Sequence, residues 1–438
     1  MEGKQESGEI MEKLFRTASF FLLLALPFTF MPGQSSAQVL LRQSDLIYQG
    51  AFRLPQGDFG SPQYSGFNYG GTALGYNPAR NSLYVTGHDW YQLSAEVSIP
   101  QVVNSTNLNS LATATVLQPF SDSLEGKISS INPSDTNAKK IGGHMVYGGQ
   151  LYVSAYSYYD GGASQSSSHF VRPTSLSTTG QVSGPYRVGT IGPRYVAGYM
   201  APVPQEWQSA FGVPALTGQC CLSIISTTSL GPAVFGFNPA DLGSRNPIPA
   251  TALVEYPSEH PTLGAWGNTA TPNPVYNMST AVKGMVFPQG TRSVLFFGST
   301  GLGTPCYGAG TSDQSLDRQP VPGESGVVYC YDPNNSSKGC HAYPYGAFVW
   351  AYDANDLLSV KNGQKNAWDV TPYATWNPNF PTGGYSVNGA DYDPATGRIY
   401  VAVMWEDGSM PLIHVFKVNV PASGDTTPPT VPRNLRTR

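Results

Sequence analysis

The sequence predicts an all-β fold, and its composition and an internal repeat support that prediction. The 438 residues include 48 glycines, 37 prolines and 26 tyrosines, a composition typical of a chain with many turns between strands. Charged residues make up 12% of the chain, and the low content of lysine and glutamate disfavours long surface helices. Hydrophobic residues make up 40%, enough to bury a sizeable core.

Five segments of the chain share one pattern, in which a glycine heads a short strand and a strongly apolar strand follows after a turn. The glycines are Gly71, Gly143, Gly198, Gly284 and Gly389. The apolar second strands are predicted at 83–88, 151–156, 222–227, 294–299 and 399–404, and third strands at 92–99, 233–237, 347–352 and 412–418. Short strands repeated in this way predict a β-propeller, with five blades favoured and six or seven left open. A β-sandwich is the alternative fold.

The repeated glycine has a physical reason in a propeller. The innermost strands converge on the axis, where a side chain would collide with the neighbouring blade. The strand predicted at 45–54 has no repeat head of its own. We expect it to pair with the last blade and close the ring, which removes an exposed sheet edge.

The two ends of the chain predict export and a modular organisation. Lys13 and Arg16 precede an apolar run at 18–30 and small residues ending at Ala37, the pattern of a signal peptide over residues 1–37. That run is too short to span a bilayer comfortably. The propeller domain is predicted at 38–422, and residues 423–438 form a linker or a truncated start of a further module. Residues 425–435 resemble the entry to a fibronectin type III domain, and the chain as a whole resembles exported bacterial proteins in which a propeller precedes such modules. We expect a secreted, extracellular or periplasmic protein.

The charge balance indicates which kinds of partner the protein can bind. The net charge of −4 offers no basic footprint for nucleic acid, and no later segment predicts a membrane span in the mature chain. Tyrosine and tryptophan near acidic residues, at 88–91, 156–160 and 404–407, suit stacking on sugar rings. We therefore expect a polysaccharide or cell-surface glycan as the partner.

The repeat also predicts which side chains meet at the centre. The residues that follow the glycines, and those that end the second strands, are expected to point towards one central mouth. They are Thr72, His144, Tyr199, Met285, Ala390, His88, Tyr156, Thr227, Ser299 and Met404. None of the residues after the glycines is a carboxylate, which disfavours a glycoside hydrolase because that reaction needs a pair of acids.

Histidine and tyrosine together suit β-elimination from a uronate-containing polysaccharide. A cation neutralises the uronate carboxylate, a base removes the C5 proton and an acid protonates the leaving oxygen. The set His144, His169, Tyr199 and Arg194 resembles that of propeller polysaccharide lyases of the ulvan lyase type.

The predicted roles follow from this chemistry. His144 is the expected base, Tyr199 the acid and Arg194 the cation, with Arg172 and Lys283 as other cations. Substrate contacts are expected from His88, Tyr156, His169, Arg172 and Trp405. A non-catalytic carbohydrate- or protein-binding propeller used in adhesion is the alternative function.

The five cysteines predict disulfides in an exported chain, with one cysteine left over. Cys340 and His341 form a pair suited to structural zinc, and Asp332 and Asp353 begin loops that offer oxygen atoms to calcium. Neither pattern completes a metal motif, so no metal ligand is assigned and the cofactor remains unknown.

Overall fold

The structure is a computed structural model that describes residues 38–61, 63–70, 73–219, 227–265, 273 and 275–421. The predicted signal peptide and fibronectin-like tail, together with Gly71, Thr72, Cys220 and Cys221, lie outside the described residues. Among the described residues the fold is all-β, as predicted, with two short α-helices, α1 (Gln205–Phe211) and α2 (Ala354–Lys361). Short 3₁₀ turns lie at Gln43–Asp45, Leu108–Ser110, Lys127–Ile131, Pro193–Tyr195, Pro239–Asp241, Gln314–Leu316 and Ala367–Asp369.

The first half of the described chain forms three four-stranded antiparallel sheets after an initial strand, β1 (Leu46–Arg53). Sheet 1 contains β2 (Leu74–Asn77), β3 (Ser82–Thr86), β4 (Ser94–Ser98) and β5 (Val116–Ser121). Sheet 2 contains β6 (Lys139–Tyr147), β7 (Gln150–Ser157), β8 (His169–Pro173) and β9 (Ser183–Tyr186). Sheet 3 contains β10 (Met200–Pro202), β11 (Ala215–Thr217), β12 (Val234–Phe237) and β13 (Ala250–Val254).

The second half forms two more four-stranded sheets and two small additions. A hairpin of β14 (Glu259–His260) and β15 (Gly264–Ala265) comes first. Sheet 4 begins with β16 (Ala281–Val286) and β17 (Ser293–Gly301). An insertion sheet then follows, with β18 (Cys306–Thr311), β19 (Tyr329–Tyr331) and β20 (Lys338–His341). Sheet 4 resumes with β21 (Tyr345–Asp353) and β22 (Ala374–Trp376). Sheet 5 contains β23 (Val387–Asp393), β24 (Arg398–Asp407) and β25 (Met410–Val418), and β1 pairs with β25 as its outer strand.

The sheets pack side by side, and each space between neighbours holds its own apolar cluster. Leu151 of sheet 2 packs with Tyr84 of sheet 1, and Phe296 of sheet 4 packs with Leu216 of sheet 3. Another such cluster joins sheet 5 to sheet 1, through Ile413 and Val85. The innermost strands β2, β6, β10, β16 and β23 contact one another in a cycle. This is a propeller-type arrangement.

The glycines that head the repeat lie where the innermost strands approach one another most closely. A Cβ atom on Gly143 would sit 2.3 Å from the carbonyl oxygen of Gly198, and one on Gly284 would sit 2.5 Å from the backbone nitrogen of Ala390. Both contacts are with backbone, which cannot move aside as a flexible side chain can. The packing reason predicted for the repeated glycine therefore holds at these two positions.

The third repeat differs from its prediction. The second strand of sheet 3 is β11, at Ala215–Thr217, and not the segment predicted at 222–227, of which 222–226 lie outside the described residues. The sequence pattern missed β11 because it spans three residues and carries no apolar run. The long spacing after Gly284 contains the insertion sheet, which a Cys306–Cys330 disulfide crosslinks with a Cα–Cα distance of 5.8 Å.

We expect Gly143→Ala to destabilise the protein by about 1–3 kcal/mol, because the added methyl group forces two innermost strands apart. Urea denaturation measures the change. Gly162→Ala is the matched control, since a Cβ there meets no atom within 4 Å, and its free energy of unfolding should stay within about 0.5 kcal/mol of the parent's. Equal stability of the two variants would contradict the packing role of Gly143.

Candidate functional site at the mouth of the ring

The innermost strands share a local irregularity just before the repeated glycine. In β6, β16 and β23 the register shifts by one residue, which leaves Gly142, Lys283 and Asn388 as the unpaired residues. A β-bulge of this kind turns a side chain out of the regular alternation and is common beside binding sites. We use the term mouth for the end of the ring where these strands begin, marked by Lys140, Lys283 and Asn388.

Two lysines and two polar partners meet at the mouth. The Nζ of Lys283 donates a hydrogen bond to Oδ1 of Asn388 across 2.7 Å, joining sheets 4 and 5. Lys140 of sheet 2 forms an ion pair with Asp89, which follows β3 of sheet 1. Burial lowers the pKa of Lys283 to about 8; the carboxylate of Asp89 raises this pKa and the charge of Lys140 lowers it. Four sheets therefore contribute to one polar cluster.

Arg194 and two tyrosines extend this cluster. Arg194 lies in the 3₁₀ turn before β10, where its Nη1 donates to Oγ1 of Thr227 across 2.7 Å and its Nη2 lies 3.4 Å from the carbonyl oxygen of Tyr158. The Nζ of Lys140 lies 4.7 Å from the centre of the Tyr158 ring, a cation–π contact. Tyr156 is the strand partner of Lys140 and is buried, which raises its pKa.

Positive charge exceeds negative charge in this cluster. Lys140, Lys283 and Arg194 are its cations, and Asp89 is paired with Lys140. Asp160 also lies near Arg194, but it is held by its own loop, where its two oxygens accept hydrogen bonds from Ser164 and Gln165. An anionic group of a ligand would therefore be stabilised at the mouth.

His144 and Tyr199, the predicted base and acid, point away from the mouth. Nε2 of His144 lies 3.1 Å from Oγ of Ser94, on the third strand of sheet 1. The hydroxyl of Tyr199 donates to the carbonyl oxygen of Ala233 and accepts from its N–H, beside the third strand of sheet 3. Both side chains are buried in different spaces between sheets. The predicted orientation therefore does not hold, and their catalytic roles stay predictions.

His169 and Arg172, two of the predicted substrate contacts, lie on β8 and are also buried. His169 lies between the hydroxyl groups of Ser168 and Thr217, at 2.9 and 3.1 Å. Arg172 donates to the carbonyl oxygens of Ser123, Ser175 and Thr178. These contacts satisfy groups of the protein itself and hold loops on the second sheet.

His88 and Trp405 lie at the surface on the same side as the mouth. The ring of His88 packs against Tyr64, Tyr69 and Tyr91, and burial lowers its pKa. It directly precedes Asp89, which pairs with Lys140. Trp405 is 56% exposed and has a positive φ of 60°.

Sequence reasoning named Lys283 among the possible cations but did not identify the position before the glycine as a site position. It placed the functional side chains immediately after the repeated glycine, whereas Lys283 and Asn388 stand immediately before it. The signal was present, because a lysine and an asparagine occupy equivalent positions of two repeats. In a regular strand those side chains would point to the opposite face of the sheet, and the bulge changes their direction.

The predicted metal pair is engaged in other contacts. His341 lies 2.9 Å from Oδ2 of Asp332 and 3.0 Å from the carbonyl oxygen of Ser337. Burial raises the pKa of the Cys340 thiol to about 11, which disfavours the thiolate form that binds zinc. Among the described residues, no three side chains of His, Cys, Asp or Glu gather as metal ligands.

Comparisons with known proteins give no family. No family model and no curated protein matches the chain. Solved structures that match include an endo-arabinanase from Bacillus licheniformis, with 10% identity, 82% of this chain and 96% of that chain covered, and a TM-score of 0.39. An α-L-arabinanase from Cellvibrio cellulosa matches with 9% identity, 80% and 92% coverage, and a TM-score of 0.40. Similarity at this level supports no conclusion about function.

The two buried histidines predict how stability depends on pH. Burial lowers the pKa of His144 to about 4 and that of His169 to about 3, while each is near 6.5 in an unfolded chain. The unfolded chain therefore binds more protons below pH 6.5. Stability should fall between about pH 6.5 and 4, with each histidine contributing up to about 1.4 kcal/mol per pH unit.

Urea denaturation at a series of pH values measures this slope. His144→Gln should make the slope shallower between pH 6.5 and 4, while leaving the contribution of His169. An unchanged slope in the variant would mean that His144 takes up its proton in the folded state as readily as in the unfolded chain.

Proposed function

We propose that the chain is a five-bladed propeller closed by β1, and that it binds an acidic polysaccharide at the mouth and cleaves it by β-elimination. The five four-stranded sheets, the cycle of innermost strands and the pairing of β1 with β25 support the closed ring. The observation that carries the function is the gathering of the positive charges of Lys140, Lys283 and the buried Arg194 at the mouth. A uronate carboxylate placed among them would find the positive charge that elimination requires.

Lys283 suits the role of base in this reaction. Its pKa of about 8 leaves a fraction of the amine unprotonated near neutral pH, and its hydrogen bond to Asn388 fixes the position of Nζ. The amine would take the C5 proton, and the electrons of the C–H bond would form the C4–C5 double bond as the C4–O bond breaks. Lys140 would stabilise the negative charge that develops on the carboxylate, and the buried Arg194 would add to the positive potential there. The ammonium group formed on Lys283 would then return its proton to the leaving oxygen, which departs as the alcohol.

The same cluster disfavours hydrolysis. A glycoside hydrolase needs two carboxyl groups that flank the glycosidic bond, one of them free to donate a proton. Asp89 forms an ion pair with Lys140, and the oxygens of Asp160 accept hydrogen bonds from its own loop. Elimination needs a cation and a base instead, and the mouth provides both.

The location we propose is extracellular or periplasmic. The Cys306–Cys330 disulfide favours an oxidising compartment, in agreement with the signal peptide predicted at 1–37. Among the described residues, no helix has the length and apolar character needed to cross a bilayer. A polysaccharide outside the cell is the substrate class that suits this location.

Lys283→Arg should keep the affinity for uronate polymers but lower product formation at least a hundredfold, because arginine keeps the charge and cannot lose its proton. Absorbance of the unsaturated product measures turnover, and affinity electrophoresis measures binding. In the parent protein, turnover should rise as the pH passes through about 8. The exposed Lys338→Arg is the matched control and should match the parent in both assays.

Two outcomes would contradict this function. Equal turnover in Lys283→Arg and the parent would exclude Lys283 as the base. Tight binding of uronate polymers with no product from any of them would favour the non-catalytic binding propeller used in adhesion.

A further inference from the structure

A groove lies beside the mouth and is not part of the proposed elimination site. It has a volume of about 420 Å³, within the usual range for small-molecule sites. Its lining combines aromatic, amide, hydroxyl and carboxylate groups, from Asn334, Thr382, Tyr385, Met404, Trp405 and Glu406. Ser386 also lines it and is two residues from Asn388, the partner of Lys283, so the groove lies close to the mouth.

The aromatic side of the groove is presented by anchored segments. Trp405 is 56% exposed and lies near the end of β24, in the hairpin that β24 forms with β25. That hairpin is fixed to its neighbours, since Arg53 donates to Asp407 at 2.7 and 3.1 Å and the backbone N–H of Tyr69 donates to the carbonyl oxygen of Ser409. An exposed tryptophan on a fixed hairpin is suited to stacking against the face of a sugar ring.

The opposite wall comes from the insertion sheet. Asp332 lies directly after β19, two residues from Cys330 of the disulfide, and is buried. One of its oxygens accepts a hydrogen bond from the N–H of Asn334 across 3.1 Å and the other accepts one from the hydroxyl of Tyr345 across 2.6 Å. Tyr345 in turn stacks on Tyr385, with 5.9 Å between ring centres and 20° between planes. The crosslinked insertion therefore holds this wall in place.

The charge of the groove differs from that of the mouth. Glu406 lines the groove, and its carboxylate is held by the N–H of Gly384, the hydroxyl of Thr382 and the ring of His414. Among the described residues that line the groove there is no lysine or arginine. A uronate here would face a fixed carboxylate with no lysine or arginine beside it, whereas a neutral sugar carries no charge to be repelled and can stack on Trp405.

We propose that this groove is a subsite for a neutral sugar, next to the uronate that binds at the mouth. The inference rests on the proposed function and makes the substrate more specific. The preferred polysaccharide then contains neutral sugars beside its uronates, and a polymer of uronate alone fits the mouth but not the groove. The stacking face of Trp405 and the charge of Glu406 together set this preference.

Binding to two polymers tests the subsite. Deacylated gellan, in which neutral sugars flank each glucuronate, is compared with polygalacturonate, which is a chain of uronates, by affinity electrophoresis at one ionic strength. The parent protein should bind gellan at least tenfold more tightly. Trp405→Ala should lose this preference and keep its affinity for polygalacturonate, because that affinity comes from the cations at the mouth.

Matched variants separate the two proposals. Trp368→Ala removes another exposed tryptophan, in the 3₁₀ turn before β22, and should keep the preference for gellan. Lys283→Met should weaken the binding of both polymers. Circular dichroism establishes that each variant is folded, and quenching of tryptophan fluorescence by gellan should be smaller in Trp405→Ala than in the parent.

Each remaining outcome decides one proposal. Equal binding of gellan and polygalacturonate by the parent, or an unchanged preference in Trp405→Ala, overturns the neutral-sugar subsite, while a loss of binding in Lys283→Met still supports the function at the mouth. Failure of the parent to bind either polymer, or binding that Lys283→Met leaves unchanged, overturns the proposed function and the subsite with it.

Discussion

The close approach of the innermost strands is the constraint on which the rest of this structure depends. The backbones come so near one another that a methyl group on Gly143 or Gly284 would overlap a neighbouring strand. Immediately before these glycines, and before Gly389, each strand carries one extra residue. Such a bulge directs that residue out of the regular alternation of the sheet. The feature that packs the centre thus also brings Lys283 and Asn388 together.

The electrostatics of the mouth follow from the same packing. Lys283 is hydrogen-bonded to a neutral amide, and Lys140 lies close enough to disfavour its charged form. The carboxylate of Asp89 favours the charged form of Lys283, but it is already paired with Lys140. The result is an amine that loses its proton more easily than an exposed lysine, surrounded by groups that favour an anion. The amine proposed as the base and the neighbouring cation Lys140 come from different sheets.

The sequence predicted the elements of the fold better than the directions of the side chains. The strands predicted at 83–88, 151–156, 294–299 and 399–404 correspond to β3, β7, β17 and β24, because each is an apolar run with turn residues beside it. β11 was missed, since three residues carry too little pattern. At the site, the prediction assumed that side chains alternate regularly past the glycine, with no bulge in the strand. In β16 and β23 the bulged residues Lys283 and Asn388 reach the mouth instead, whereas Met285 and Ala390, which follow the glycines, are buried.

A bulge could not have been predicted from local sequence alone. Lys283-Gly and Asn388-Gly are ordinary dipeptides, and neither forces an extra residue into a strand. Arg194 was identified by its residue type and the resemblance to propeller lyases, yet its neighbours Tyr158 and Thr227 come from loops whose paths depend on tertiary packing. Residue type and repeat position therefore locate the end of the molecule at which a site forms, and contacts between sheets decide which side chains form it.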